Sequence, residues 1–198
     1  ALRVPLAATR EAALRAVMRT FAGAFDSILV FQISREDLLL LGSAEPLGLD
    51  IGWFRSVISS TGEVSRDLRR ITVIGPNEIL YTYRLAEDGL RRVLGDGPGN
   101  DDDRSPVEFA SVRELTVHSN PALLAAIDSA WTSILPRLIN YGVSPDEKAE
   151  FLYNLAKSYL GIAGDPLRGM EIARELSTLG RTAMARWVTG ESLMQQSD

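Results

Sequence analysis

Apolar residues recur along this chain with two different periods. Ala13, Val17, Phe21 and Phe25 stand at helical spacing, with Leu14 and Met18 beside them, which predicts an amphipathic helix. Thr9 is placed to cap it, and Glu11 falls in its first turn, where the helix dipole favours a negative charge. Two short apolar runs follow, at residues 28–33 and 37–42, separated by Ser34, Arg35 and Glu36. That pattern predicts an antiparallel hairpin, and the nearly continuous apolar character predicts cover on both faces. A hairpin alone is marginal, so other strands must complete a sheet. The best remaining candidates are residues 71–74 and 107–109.

From residue 50 to residue 94 the pattern turns helical. Asp50 is placed to cap a helix over residues 51–60, Pro76 suits the first turn of one running to Tyr83, and residues 86–94 form a third. Residues 95–106, rich in Gly, Pro and Asp, are the clearest irregular segment. From Asn120 onward the chain reads helical, punctuated by Pro136 and by residues 141–145, where a domain boundary near residue 140 is expected. Leu152, Leu155, Ala156 and Tyr159 then share one helical face, Gly164-Asp165-Pro166 turns the chain, and Met170, Ile172, Ala173 and Leu176 build a partner helix. Residues 182–194 supply another, carrying Trp187. This arrangement resembles one tetratricopeptide repeat with a single extra residue before the turn. One repeat needs neighbours to cover its apolar face, so the alternatives are a partner-binding repeat and a helical hairpin packed on its own chain.

Composition narrows the chemistry. The chain has 198 residues, 45% of them hydrophobic and 24% charged, enough apolar material for one or two globular domains. Its net charge of -5 disfavours nucleic acid, which needs a concentrated basic face. The arginines at 66, 69, 70, 91 and 92 are read as solvated helix faces. Cysteine is absent, which excludes disulfides, thiolate metal sites and cysteine nucleophiles. The single histidine, His118, can serve as a lone general base but cannot build a paired-histidine metal motif; a structural or exposed role is the plainer reading. No apolar stretch reaches the roughly 20 residues that span a bilayer, so no direct membrane insertion is expected. There is no Gly-x-Ser-x-Gly elbow, and the tryptophans at 53, 131 and 187 sit in apolar helical patterns that read as core or helix–helix contacts.

One polar cluster has chemical potential: Asn100, Asp101, Asp102, Asp103 and Arg104, with Glu108 close behind. Carboxylates on a loop can take Ca²⁺ or Mg²⁺, or attract ammonium groups, although the spacing is not that of an EF-hand. The plainer reading is a solvated loop in which Arg104 pairs with Glu108 or an Asp.

Three segments carry a family resemblance by their order and spacing. They are Ala16-Val-Met-Arg-Thr-Phe-Ala-Gly-Ala-Phe25, the hairpin ending in Leu39-Leu-Leu-Gly-Ser-Ala-Glu-Pro-Leu47, and Asn100-Asp-Asp-Asp-Arg-Ser-Pro-Val-Glu-Phe109. Residues 10–125 resemble the C-terminal half of spermidine-synthase-like proteins, the polyamine aminopropyltransferase superfamily, particularly large members fused to membrane segments. In that family a helix with an Arg-Thr-Phe core precedes the late sheet strands, and an Asn-Thr-Asp-Asp-Arg-Pro segment follows later. Here Asp101 stands where the family more often has Thr, and Ser105 is inserted before Pro106. The family's cofactor site uses a Gly-rich strand–turn–helix, as in methyltransferases, and no such motif occurs in these 198 residues.

The resemblance implies an α+β, predominantly helical chain. Residues 1–140 would supply the C-terminal half of a spermidine-synthase-like α/β domain with a partial methyltransferase-like sheet, and residues 141–198 a tetratricopeptide-like tail. It implies no catalytic, cofactor-binding or metal residues of its own, no bound cofactor and no activity alone. Asn100 to Arg104 and Glu108 would be a family motif or substrate-side loop. The expected function is a non-catalytic part contributing substrate-side or assembly surfaces to its parent; the alternative is a helical interaction module of tetratricopeptide type. Partners would be the rest of the parent, another protein or a second copy. The expected setting is the cytoplasm, as the soluble part of a parent that membrane segments could anchor.

Overall fold

The computed structural model describes residues 1–7, 10–99 and 120–196. In chain order these form β1 (Leu2–Pro5), α1 (Glu11–Ala24), β2 (Ser27–Gln32), β3 (Asp37–Ser43), β4 (Leu49–Asp50), α2 (Ile51–Ser59), α3 (Glu63–Arg70) and α4 (Asn77–Leu80). There follow β5 (Tyr83–Ala86), α5 (Glu87–Leu94), α6 (Pro121–Ser129), a 3-10 turn (Leu135–Arg137), β6 (Leu138–Ile139) and α7 (Pro145–Ser158). A π-helical turn (Tyr159–Ala163), α8 (Pro166–Thr178) and α9 (Thr182–Gln195) complete them. The mixed, mainly helical architecture with a small antiparallel sheet is the expected one. The elements gather into two compact units, Ala1–Leu47 with Tyr83–Ile134, and Gly48–Thr82 with Leu135–Asp198.

The first unit holds the four-stranded sheet, in the order β1-β3-β2-β5 with every neighbouring pair antiparallel. The predicted hairpin forms, Val30 facing Leu40 across β2 and β3. Residues 27–31 of β2 are buried, as expected for a strand covered on both faces, but β3 alternates: Leu38 and Leu40 are buried while Leu39 and Leu41 are half-exposed. The sheet is completed by β1 and β5, two four-residue strands too short to show a period of their own. Tyr83, expected to end a helix, opens β5 instead and is fully buried. In α1 the buried stripe runs through Leu14, Met18 and Ala22, displaced from the expected one; Val17, Phe21 and Phe25 lie half-buried at its margin. The expected cap Thr9 lies outside the described residues, and Arg10 occupies the cap position. Pro5 sits on the outer strand. The bond from Leu6 N–H to the Glu36 carbonyl fixes the alternation, so position 5 turns away from β3, where its missing N–H costs no ladder bond.

In the second unit, α7 and α8 form the predicted helical hairpin. Ser144 caps α7 through the Glu147 N–H (3.2 Å), and Asp165 caps α8 through the Arg168 N–H (3.1 Å), each followed by a proline in the first turn. Before the turn the helix widens into the π-helical turn, closed by Asp165 N–H on the Tyr159 carbonyl (2.9 Å) and by left-handed Gly164. Leu152, Leu155, Tyr159, Ile172 and Leu176 are buried, and the Tyr159 hydroxyl donates to the Leu80 carbonyl at 3.2 Å. As expected, Asp50 caps α2, accepting from Trp53 N–H at 2.9 Å.

Two expectations fail here. Residues 71–74 are not a strand: Thr72 adopts a left-handed φ of 61° and Val73 N–H bonds the Leu68 carbonyl at 2.9 Å. That closes α3 by a Schellman turn and leaves Ile71 and Ile74 exposed. The tryptophans are not core residues either. Trp53 is 59% and Trp187 42% exposed, and Trp131 is half-buried. Trp187 does make a helix–helix contact, its ring 5.3 Å from Tyr153.

Asp37 and Asp50 titrate below the usual carboxylate range. Asp37 is lowered chiefly by its hydrogen bond from Arg3 (2.9 Å), and Asp50 by the Trp53 N–H and then by the Asn140 side chain (2.9 Å). A carboxyl whose folded value lies below its unfolded value of about 3.9 contributes stability that is present above that pH. The contribution is lost as pH falls through the folded value. Urea midpoints measured from pH 6 to pH 2 should therefore be flat down to about pH 4 and fall below it, with a shallower fall in Asp50→Asn.

Candidate functional site

Two of the three motif segments, and the stretch leading to the third, meet in the first unit. Arg19 on α1 reaches the C-terminal end of α5, donating to the carbonyls of Leu94 (2.6 Å), Gly95 (3.3 Å), Asp96 (3.4 Å) and Pro98 (3.4 Å). Arg15, one turn earlier, donates to the Val93 carbonyl and is itself held by Glu11 at 2.7 Å. A cation on the last carbonyls of a helix satisfies acceptors that have no intrahelical partner and opposes the negative end of the dipole. Thr20 lies against Gly99: a Cβ there would meet Thr20 Oγ1 at 2.9 Å. Phe21 and Phe25, ring centroids 4.7 Å apart, cover Gly42, where a Cβ would meet Phe25 at 2.6 Å and Phe21 at 2.8 Å. The Arg-Thr-Phe core thus holds the Gly-Ser-Ala-Glu-Pro turn on one side and residues 94–99 on the other.

An open cavity of about 410 Å³ lies beside this junction, lined by Arg19, Arg91, Arg92, Gly95 and Asp96 among others. Its three guanidinium groups would suit an anion, but each is already engaged. Arg19 holds the carbonyls just named, Arg91 reaches the Phe25 carbonyl (3.5 Å) and Arg92 the Ala130 carbonyl (3.4 Å). The cations organise backbone here. In the second unit, a cavity of about 350 Å³ is lined by Arg55, Asn77, Glu147, Glu150, Phe151 and Asn154. Arg55 there lies over the Phe151 ring (5.3 Å), and Glu147 accepts from the Val143 N–H (2.9 Å). Among the described residues no group of three His, Cys, Asp or Glu side chains is placed to hold a metal ion, and no helix is long and apolar enough to cross a membrane.

The residues singled out from sequence, Asn100, Asp101, Asp102, Asp103, Arg104 and Glu108, lie outside the described residues, as do His118 and the strand candidate at 107–109. The described structure reaches the entrance of that segment, Gly95 to Gly99. Sequence reading did not single out Arg15, and named Arg19 only within the Arg-Thr-Phe motif, with no role of its own. Their signal is visible in hindsight: arginines one helical turn apart on a helix whose other face is apolar. No protein-family model, curated protein or solved structure matches this chain.

Proposed function

We propose that this chain is a non-catalytic C-terminal part of a spermidine-synthase-like protein, contributing the closing strands of its sheet and a surface beside the acidic segment 100–108. The observation that carries the reading is the junction around Arg19, Thr20 and Phe21. Motif segments recognised by their order in sequence are drawn together by one helix, as segments serving a common architecture should be. Sheet connectivity supports it too: α1 links β1 to β2, which run parallel, and β3 returns antiparallel between them. Titration calorimetry with S-adenosylmethionine and with its decarboxylated form tests the reading. It predicts no heat of binding for either, because the chain carries no Gly-rich cofactor turn; tight binding of either would overturn it.

A second reading, a helical interaction module of tetratricopeptide type, has one observation in its favour: the α7–α8 hairpin with α9 packed on α8. The groove it first suggests is internal, since Leu152 and Tyr159 are fully buried and Met170 is half-buried. Any partner surface must then be sought elsewhere on these helices.

A further inference from the structure

Among the described residues of the second unit, α9 carries an exposed face of small and apolar side chains. α9 buries Ala185, Val188 and Ser192 against its own unit. On the opposite side Ala183, Trp187, Gly190 and Met194 are exposed, at successive spacings of four, three and four residues, one edge of the Trp187 ring resting on Tyr153 of α7 and the remainder open. That is the a/d spacing of a two-stranded seam, with Trp187 and Met194 at a, Ala183 and Gly190 at d. Beside it stand Arg186 at a g position and Glu191 at an e position, opposite in charge and five residues apart.

We propose that this face is a weak, parallel, two-fold interface between two copies of the chain through α9. Charge complementarity chooses the occupant. In a parallel pair a g residue meets the e residue five positions on in its neighbour, so Arg186 meets Glu191 of the second copy, and the two-fold repeats the pair. Size agrees with that orientation. A knob at Trp187 enters a hole formed by positions 183, 186, 187 and 190 of the second copy, of which 183 is alanine and 190 is glycine. A Cβ added at Gly190 would meet nothing within 4 Å, so there is open space for the indole. Two heptads bury less than the roughly 1,200 Å² of a standard interface, so the pair forms and dissociates readily.

Sedimentation equilibrium of the full chain tests this. The weight-average mass should rise from 21.7 kDa towards twice that between about 20 µM and 1 mM. Trp187→Glu should hold it at the monomer value, and Met194→Glu, which leaves the Trp187–Tyr153 contact in place, should also weaken association, with the far-UV spectrum reporting that the fold is intact in both. Arg186→Glu should weaken association by about tenfold, and adding Glu191→Arg should restore it. Because the chain has no cysteine, orientation can be read by cross-linking. Met194→Cys alone should form a disulfide-linked dimer, since equivalent a positions face one another. A mass fixed at 21.7 kDa throughout would overturn the proposal. So would a dimer indifferent to Trp187→Glu, or cross-linking only when Ala183→Cys and Met194→Cys chains are mixed, which marks an antiparallel pair.

Discussion

Replacing Gly42 by valine should destabilise the sheet-containing unit by about 3 kcal/mol, the upper range for forcing bulk into a packed site. The added carbons would enter space filled by the Phe25 and Phe21 rings, 2.6 and 2.8 Å from the first of them. Neither ring can simply swing clear, because each is half-buried at the edge of the α1 contact with the sheet. The expected readout is a urea midpoint lowered by about 1.5 M with the slope unchanged. The paired variant Gly42→Val, Phe25→Ala should recover part of the loss, since it removes the obstruction. If Gly42→Val unfolds at the wild-type midpoint, the two motif segments are not packed as described.

Arg168→Ala should cost the second unit about 3 kcal/mol, within the range for removing one partner of a buried pair. The Arg168 side chain is 4% exposed, pairs with Asp165 at 2.9 Å and lies 5.5 Å from the centre of the Tyr159 ring. Truncation deletes the charge partner of the α8 cap and opens a void under an aromatic ring. Arg168→Met keeps the stem and should lose less. Thermal unfolding followed by circular dichroism should rank wild type above Arg168→Met and Arg168→Ala lowest. Equal melting temperatures for the two variants would mean that packing contributes nothing there.

What could be read in advance depended on how far each signal extends along the chain. The β2–β3 hairpin and the α7–α8 hairpin carry long apolar patterns bounded by turn residues, and both formed where the pattern put them. Asp50 and Pro166 worked as local punctuation, because capping is decided by a few adjacent atoms. By contrast β1 and β5 are strands only because β3 and β2 lie beside them, and four residues give no period to detect. Residues 71–74 failed in the opposite direction. Their β-branched composition favours a strand, yet the chain spends them on ending α3, a choice made by hydrogen bonds to Leu68 and Arg69. The cation junction at Arg19 was the hardest to foresee, since its partners are carbonyl oxygens 75 to 79 residues away that carry no side-chain signature.

The π-helical turn at Tyr159–Ala163 has a consequence for how this hairpin tolerates change in length. Each residue advances a regular helix by about 100°, so removing one would rotate everything beyond it by that angle. A π-helical turn holds one residue more than an α-helical turn, so deletion within it would let the chain close as regular helix and keep Gly164 and the start of α8 in phase with α7. The turn therefore acts as a phase adjuster, and the hairpin should accept the loss of one residue there far more readily than the loss of one within α7 or α8.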